Sequence, residues 1–505
     1  MADATPARSH HGPESSVLKT GRGIFWAGAG FCTLAAPWML GGMPLSTQWW
    51  LLGGAITAFV GGLIVRFAGH SSPGARAAFR VQRWALGLGL LFIAYLFLQA
   101  INPSLAVVLR GNMWDLQSSE HSWWGPHSIS APFDMIGGDW LPYKNAWRYL
   151  LIYGTGWLFA AGLCFGLTER KDALRWVQLV AVNGFVIALV CLAHKATGSH
   201  RTLWLFADTF DFTGSPVFFY KNHNGAYLAL SLAAILGVAA AGASDQNWRV
   251  WEIAAIVTWA ATVVVNSRVA IGCATFWFGI YGFIRWRHLR SEGRAVFSGK
   301  SVTIGAALAL ALGGLVFSLG GGKVFNRFSP AFSAPLDFLQ GGSFRSMTRQ
   351  VGWEMWKDDK LFGWGGGSFM YLFQDYHQRV PEIARTVYRQ QPNLNRFVAP
   401  GLNCDWVEFL VEYGVVGVGL LVAAGAVLLI AVFRWRENAP PQTFFLTLGV
   451  LGLFAHAYLE YLLRNPAILL LALGSILVAV RLAAQPAPSR NHRVRFKAAA
   501  SSVAP

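Results

Sequence analysis

Three arginines occupy positions that suit the binding of an anion. Arg268 lies between two apolar runs in Val265-Asn-Ser-Arg-Val-Ala-Ile-Gly272, and Arg345 and Arg349 are spaced i, i+4 on a predicted amphipathic helix over 344–357. A guanidinium group stays ionised, and its planar fork can hold two phosphate oxygens. The three side chains would form a clamp for a diphosphate if they share one side of a membrane. The alternatives are that Arg268 only extends to the lipid–water interface and that the helix presents a solvated basic face.

A second polar segment is Lys221-Asn-His-Asn-Gly225, just before an apolar run. Lys221 supplies a cation, His223 an imidazole that titrates near neutral pH, and Asn222 and Asn224 amides that donate or accept hydrogen bonds. Two interpretations fit this pattern: a substrate-binding group, or a polar turn that leads into a helix.

Acidic residues gather where the chain returns to apolar sequence. Asp405 and Glu408 have the spacing of a helix cap, in which Asp405 accepts from the first turn and Glu408 reaches back. A catalytic role fits the pair equally well. Glu412 lies one turn further on the same face and deeper toward the membrane, which favours a function for this carboxylate.

The third group is His456 and Glu460, spaced i, i+4 on a predicted span and followed by Arg464-Asn-Pro466. The pair either stabilises the packing of this span or lines a cavity. The segment Gly363-Trp-Gly-Gly-Gly367 lacks the Gly-Lys-Ser/Thr of a phosphate-binding loop and predicts a turn between two short helices. Metal-ligand spacings such as H-E-x-x-H are missing from the sequence, so we predict neither a metal nor a cofactor.

These residues must be positioned by membrane helices. Of the 505 residues, 54% are hydrophobic and 13% are charged, and the mean hydropathy is +0.42, which excludes a set of soluble domains. Apolar segments of about 20 residues recur, the length that crosses a bilayer. About twelve spans are predicted, at 24–43, 48–67, 84–101, 147–167, 174–193, 224–242, 250–265, 269–285, 302–319, 413–433, 443–461 and 466–483.

Basic loops predict the orientation. The net charge of +17 comes largely from short loops between spans and from the C-terminal tail, which indicates the cytoplasmic side and anionic lipid rather than nucleic acid. Both termini are therefore predicted to be cytoplasmic, as tails 1–23 and 484–505. The spans then occupy 24–319 and 413–483, and the long loop 320–412 lies outside the cytoplasm.

Another outer loop, 102–146, is rich in tryptophan. Aromatic side chains at the membrane surface either anchor a loop in the headgroup region or stack on sugars. The residues concerned are Trp114, Trp123, Trp124, Trp140 and Trp147.

Five segments in the same order resemble the O-antigen ligase and polymerase family of bacterial envelope polysaccharide assembly. That family is built from about a dozen spans with one large periplasmic loop near the C-terminal end. The resemblance covers roughly residues 220–470, and the first 200 residues agree only in the pattern of spans. The matching segments are Tyr220-Lys-Asn-His-Asn-Gly-Ala226, Asn266-Ser-Arg268, Phe344-Arg345 with Trp353 and Gly363-Trp-Gly365, Asp405-Trp-Val-Glu-Phe-Leu-Val-Glu-Tyr-Gly414, and His456 through Arg464-Asn-Pro466.

The resemblance implies an all-α polytopic protein of the bacterial inner membrane, with a large periplasmic loop. It implies a metal-independent transferase that moves a glycan from undecaprenyl diphosphate to an acceptor sugar, either a lipid A core or a growing polysaccharide. Arg268 and Arg345 are then expected to hold the diphosphate. Further substrate contacts are expected from Lys221, Asn222, Asn224, Arg349, His456 and Arg464.

One departure from the family pattern concerns the base that activates the acceptor hydroxyl. The family usually has His-Asn-Asp where this chain has Asn403-Cys404-Asp405, and a carboxamide does not accept a proton near neutral pH. Another base such as His223, Glu412 or Asp405 is one explanation. Orientation of the acceptor by Asn403 and loss of transferase activity are the others, and a membrane transporter is the alternative class of protein.

Overall fold

Thirteen α-helices form the framework of the described part of the chain. The computed structural model describes residues 15–69, 71–110, 113–120, 122–131, 145–206, 215–242, 248–291, 343–383 and 401–485. The helices are α1 Ser16–Trp38, α2 Leu45–Ala68, α3 Pro73–Ile101, α4 Ala146–Gly166, α5 Arg170–Ala196, α6 Lys221–Ala241, α7 Trp248–Val265, α8 Arg268–Ser291, α9 Ser343–Asp358, α10 Phe369–Tyr376, α11 Asp405–Arg434, α12 Pro441–Ala457 and α13 Pro466–Ala483.

Membrane-spanning character is confirmed for a large part of this set. Eight helices are long and apolar enough to cross a bilayer, namely α2, α3, α4, α5, α6, α8, α11 and α13, while α12 is apolar but shorter. The count of about twelve spans stays a prediction. Predicted span nine, 302–319, lies outside the described residues, as do Trp140 and the tail beyond residue 485.

Several helices differ in length from the predicted spans. Helix α1 begins at Ser16, inside the predicted tail 1–23, and α11 begins at Asp405, before the predicted span 413–433. Helix α12 ends at Ala457, so Glu460 lies in the connection to α13 and does not share a helix with His456. The end of α12 therefore separates Glu460 from the helix that its spacing with His456 predicted.

The bundle has two distinct ends. Helices α4, α6, α8, α11 and α13 begin at one of them, which we name the loop end, where Arg464 of the α12–α13 connection contacts α4 and α11. At the opposite end Arg22 pairs with Glu169, and Arg481 donates to the carbonyl of Ala75. The polar residues singled out by the sequence are at the loop end.

A small β-sheet stands in the loop between α3 and α4, so the all-α prediction is wrong for this segment. Strand β1 (Pro103–Arg110) pairs antiparallel with β2 (Met113–Ser118) and parallel with β3 (Ser128–Ser130). Its inward side chains share a hydrophobic core with α9, α10 and the start of α11. The outer segments therefore pack as a layer of their own on the loop end.

Helix α9 confirms the helix predicted over 344–357 and its packed apolar face, whereas Arg349 on the basic face is buried rather than solvated. Val351 and Met355 are fully buried, and Arg349 is buried with its guanidinium 5.4 Å from the ring centre of Tyr458. Helix α10 follows the glycine turn, as predicted. Burial of one face of α9 fixes the direction in which Arg345 points.

Gly414 joins this outer layer to helix α11. Its backbone (φ 57°, ψ −169°) interrupts the helix and frees groups that pair with the loop. The carbonyl of Glu412 accepts from Gly365 N at 2.8 Å, and Val415 N donates to Lys360 O at 2.9 Å. These hydrogen bonds at the kink fix the loop against the helix that carries Glu408 and Glu412.

Replacement of Gly414 by alanine is expected to destabilise the protein. The positive φ alone costs about 1–3 kcal/mol for a residue with a Cβ, and that Cβ would lie 2.3 Å from Leu361 O. We expect a lower midpoint of thermal unfolding in detergent. Gly419→Ala, at a site on α11 with no atom within 4 Å of the added Cβ, is the control, and equal midpoints for the two variants would contradict the prediction.

Candidate active site

Arg345 and Glu460 form an ion pair at the loop end. Arg345 Nη2 lies 2.6 Å from Glu460 Oε1, and Nη1 donates to Leu459 O at 2.8 Å. The carboxylate is almost fully buried, whereas 22% of the Arg345 side chain is exposed. The second N–H of each terminal nitrogen can still donate to a ligand. We name this pair, with Tyr220, Asn222, His223 and Tyr461 that surround it, the Arg345 cluster.

Burial and the partner's charge shift the pKa values of Arg345 and Glu460 in opposite directions. Burial raises the pKa of Glu460, and the guanidinium of Arg345 opposes that shift. For Arg345, burial lowers the pKa, but the carboxylate outweighs it and leaves the pKa above its ordinary value. The separation of 2.6 Å fixes the guanidinium of Arg345 in one position at the loop end.

The start of α6 supplies the other contacts of Glu460. Asn222 Nδ2 donates to Glu460 Oε1, and the Tyr220 hydroxyl donates to Oε2 at 3.2 Å. Burial and the nearby carboxylate raise the pKa of Tyr220, so its hydroxyl stays protonated and remains a donor. Glu460 thus accepts from donors of two elements and acts as the anchor of Arg345.

Two histidines lie beside the cluster. The ring of His223 makes edge contacts with Tyr220 and Tyr461, with centroid distances of 5.2 Å to each, and its Nε2 is 2.7 Å from Tyr461 O. Because a carbonyl only accepts, Nε2 carries the proton and Nδ1 is the basic nitrogen. His456 is buried, and its Nε2 finds no hydrogen-bond partner within the part of the chain that the structure describes.

Arg268 and Lys221 lie at the same end of the bundle as Arg345. They are the first residues of α8 and α6, and the two helix starts touch, since a Cβ added at Gly225 would be 2.6 Å from Ser267 Cβ. The N-terminus of a helix carries partial positive charge. The two starts therefore add positive potential to the side of the bundle that holds the Arg345 cluster.

Other predicted substrate residues are engaged elsewhere. Asn224 is fully buried, and its Nδ2 is 3.3 Å from Cys191 Sγ on α5. Arg349 packs over Tyr458. The structure does not bring Asn224 into the Arg345 cluster, while Arg349 lies one helical turn after Arg345.

Arg464 and the acids of α11 form a buried frame beneath the cluster. The guanidinium of Arg464 binds Glu408 and reaches Glu412 Oε2 at 2.9 Å and the Tyr149 hydroxyl at 3.2 Å. Burial lowers the pKa of Arg464, but the two carboxylates raise it further and leave it above the ordinary value. Glu412 is therefore held in an ion pair that favours a structural role over a catalytic one, and Arg464 is unsuited to substrate contact.

The helix cap predicted for Asp405 and Glu408 is wrong. Asp405 is the first residue of α11, and its carboxylate accepts from Leu462 N at 2.6 Å and Leu463 N at 2.8 Å instead of from its own first turn. Glu408 accepts from Leu402 N at 2.9 Å. These two hydrogen bonds tie the α12–α13 connection to the start of α11. Asp405 thus fixes the connection that carries Glu460.

Asn403 lies next to this frame in a left-handed backbone conformation, with φ of 54°. Asparagine tolerates that region better than most side chains. Burial raises the pKa of the neighbouring Cys404 thiol to about 11, so the thiol is neutral at pH 7 and unsuited to nucleophilic attack. Of the three bases that the sequence suggested, Glu412 is bound by Arg464 and Asp405 by backbone N–H groups. His223 is the remaining candidate.

Sequence reasoning missed the central role of Glu460 and the part of Tyr461. The Tyr461 ring stacks on Tyr220 at a centroid distance of 5.5 Å and an interplanar angle of 4°. An acid inside an apolar segment, such as Glu460, is itself a signal of function. Its partner is Arg345, and the sequence around Glu460 does not indicate that pairing.

The scan of protein-family models and the search of curated proteins found no match to this chain.

Proposed function

We propose that this protein is a membrane glycosyltransferase that moves a glycan from undecaprenyl diphosphate to an acceptor sugar, of the O-antigen ligase or polysaccharide polymerase type. The observation that carries the proposal is the junction of Arg345, Glu460 and Asn222 from three separate segments at the loop end. In this proposal the loop end faces the periplasm, and both termini are cytoplasmic.

Charge at the loop end supports a diphosphate ligand. Arg345 is anchored through one N–H of each terminal nitrogen, and Lys221 and Arg268 stand at adjoining helix starts. Fixed guanidinium groups stabilise the negative charge that grows on a leaving diphosphate without needing to reorganise. The diphosphate would leave with the electron pair of its bond to the anomeric carbon as the acceptor oxygen attacks.

Exposed aromatic side chains beside the cluster suit the polyprenyl chain. Trp353 on α9 is 40% exposed, Trp406 on α11 is 38% exposed and Tyr458 after α12 is 51% exposed. Trp406 Nε1 donates to Phe454 O at 3.0 Å, which satisfies the polar edge of the indole. Amphipathic rings at a membrane surface accept an apolar chain on one side and polar groups on the other.

We assign the general base to His223. Its Nε2–H is fixed on Tyr461 O, so Nδ1 accepts the proton of the acceptor hydroxyl as the oxygen attacks. With its proton on Nε2, the imidazole is in the neutral form that a general base requires. Asn403 then orients the acceptor rather than removing its proton.

A transfer assay tests the proposed function. Purified protein in lipid nanodiscs is incubated with undecaprenyl diphosphate glycans and with sugar acceptors, and the glycosylated acceptor is detected by mass spectrometry. We expect transfer in the presence of a chelator, because the residues of the site supply the electrostatic stabilisation. Uptake of a solute into proteoliposomes without any transfer would contradict the proposal and favour a transporter.

His223→Gln is expected to slow transfer about 100-fold or more, since general base catalysis contributes that much, while donor binding is retained. His377→Gln is the matched control, because His377 is also a buried imidazole of the loop end and is held by Phe373 O at 3.2 Å. The rates are compared across pH in the transfer assay. An unchanged rate and pH profile for His223→Gln would exclude this base.

A further inference from the structure

A separate cavity lies in the outer layer. Its volume is about 330 Å³, and its lining includes Trp123, Trp124, His127, Asp359 and Phe362. This volume is in the range of roughly 300–1,000 Å³ that is usual for small-molecule sites. None of the residues used in the proposed reaction lines it.

The tryptophans offer open indole surfaces. Trp123 is 49% exposed and Trp124 is 87% exposed, and the Trp124 ring meets Phe362 edge to face at a centroid distance of 5.4 Å. With 87% of Trp124 exposed, a broad face of its indole is open to a ligand. Such a face packs well against the C–H groups on one side of a pyranose ring.

Polar groups stand beside these rings. His127 Nε2 is 3.1 Å from Asp359 Oδ2, and Asp359 Oδ1 accepts from Phe362 N at 3.2 Å. Each carboxylate oxygen has more than one lone pair, so the fixed carboxylate can accept further bonds from the hydroxyl groups of a sugar. Aromatic faces together with an oriented carboxylate are the groups that recognise a carbohydrate.

The tryptophan segment is rigidly held. Buried Asn102, at the end of α3, accepts from Trp123 N at 3.0 Å, and its Nδ2 donates to Trp123 O at 3.0 Å and to Pro126 O at 2.9 Å. Three hydrogen bonds from one side chain fix residues 123–126 against the bundle. Preorganisation of this kind lowers the entropic cost of ligand binding.

The cavity is connected to the Arg345 cluster through α11. Phe362 precedes the glycine turn, whose Gly365 N binds the carbonyl of Glu412, and the Glu412 carboxylate binds Arg464. The segment that carries Asp359 and Phe362 therefore rests on the same helix start as the frame of the proposed active site.

We propose that this cavity binds a pyranose unit of the glycan, at a subsite separate from the diphosphate site. The assignment rests on the proposed function, because a glycan transferase has to hold sugars beyond the bond that breaks. The indoles of Trp123 and Trp124 stack on the ring, and Asp359 accepts from its hydroxyl groups.

Saturation-transfer NMR on the protein in nanodiscs tests the proposal. The probes are methyl glycosides of glucose, galactose, mannose and N-acetylglucosamine, which carry no diphosphate. We expect at least one of them to receive saturation, with a loss of about fivefold or more in Trp124→Ala and in Asp359→Asn. Trp147→Ala is the matched control, because Trp147 is 43% exposed on α4 and does not line the cavity.

Two results would overturn the subsite. One is the absence of saturation transfer to every glycoside, or equal transfer in the wild type and Trp124→Ala. The other is strong quenching of the Trp123 and Trp124 fluorescence by brominated lipids, which would show that the indoles anchor the loop in the membrane. Trp124 is almost fully exposed, so its replacement leaves the fold intact, and the thermal midpoint checks this. The glycosides lack the diphosphate, so a failure here is distinguishable from a failure of the transfer assay.

Discussion

Arg345→Ala is expected to lower the rate of glycan transfer by about 100- to 1,000-fold, the usual effect of removing one fixed donor that stabilises charge in a transition state. Arg345 is a partly exposed cation that the structure anchors at the loop end, through Glu460 and the carbonyl of Leu459. Lysine in its place is expected to restore only part of the rate, because an ammonium group lacks the planar fork. The measurement is the initial rate in nanodiscs with saturating acceptor.

Two further variants separate catalysis from folding. Arg345→Ala leaves the buried Glu460 without its cation, which is itself destabilising, so the double variant Arg345→Ala with Glu460→Gln removes both charges. We expect this double variant to unfold near the wild-type temperature and to remain inactive. Arg379→Ala removes another arginine of the same loop, paired with Asp358 at 2.8 Å, and should transfer normally. A double variant as active as the wild type would contradict the role of Arg345.

Arg464→Met is expected to destabilise the protein by about 3–5 kcal/mol, because removal of one partner leaves buried charge uncompensated. Glu408 and Glu412 are fully buried and both bind this guanidinium. The midpoint of thermal unfolding in nanodiscs measures the effect. Arg464→Met combined with Glu408→Gln and Glu412→Gln should recover most of the loss, since no unpaired charge remains. Wild-type stability of the single variant would show that the frame does not hold the loop end together.

The membrane helices could be predicted from the sequence because their signal is local. A run of apolar residues reports its own burial in lipid, and the helical spacing of Met347, Val351 and Met355 predicts α9 and its packed face. Small sheets carry no comparable signal. The strand β1 pairs in parallel with β3, and that pairing depends on residues that lie outside any short window.

The partners of charged residues were harder to predict than the helices. Spacing suggested that His456 and Glu460 act together and that Asp405 and Glu408 cap a helix. The structure instead pairs Glu460 with Arg345 and directs Asp405 to Leu462 and Leu463. A buried charge takes whichever donor the tertiary fold brings near, because the cost of leaving it unpaired exceeds the value of a local cap.

Comparison of two lipids tests the central claim most directly, namely that cations at the loop end bind a diphosphate. The affinities of undecaprenyl diphosphate and undecaprenol are measured for the protein in nanodiscs, in the wild type and in the double variant Arg345→Ala with Glu460→Gln. We expect the wild type to bind the diphosphate at least about tenfold more tightly than the alcohol, a difference of about 1.4 kcal/mol, and the double variant to lose most of this preference. Equal affinity of the wild type for the two lipids, or an undiminished preference in the double variant, would contradict the account.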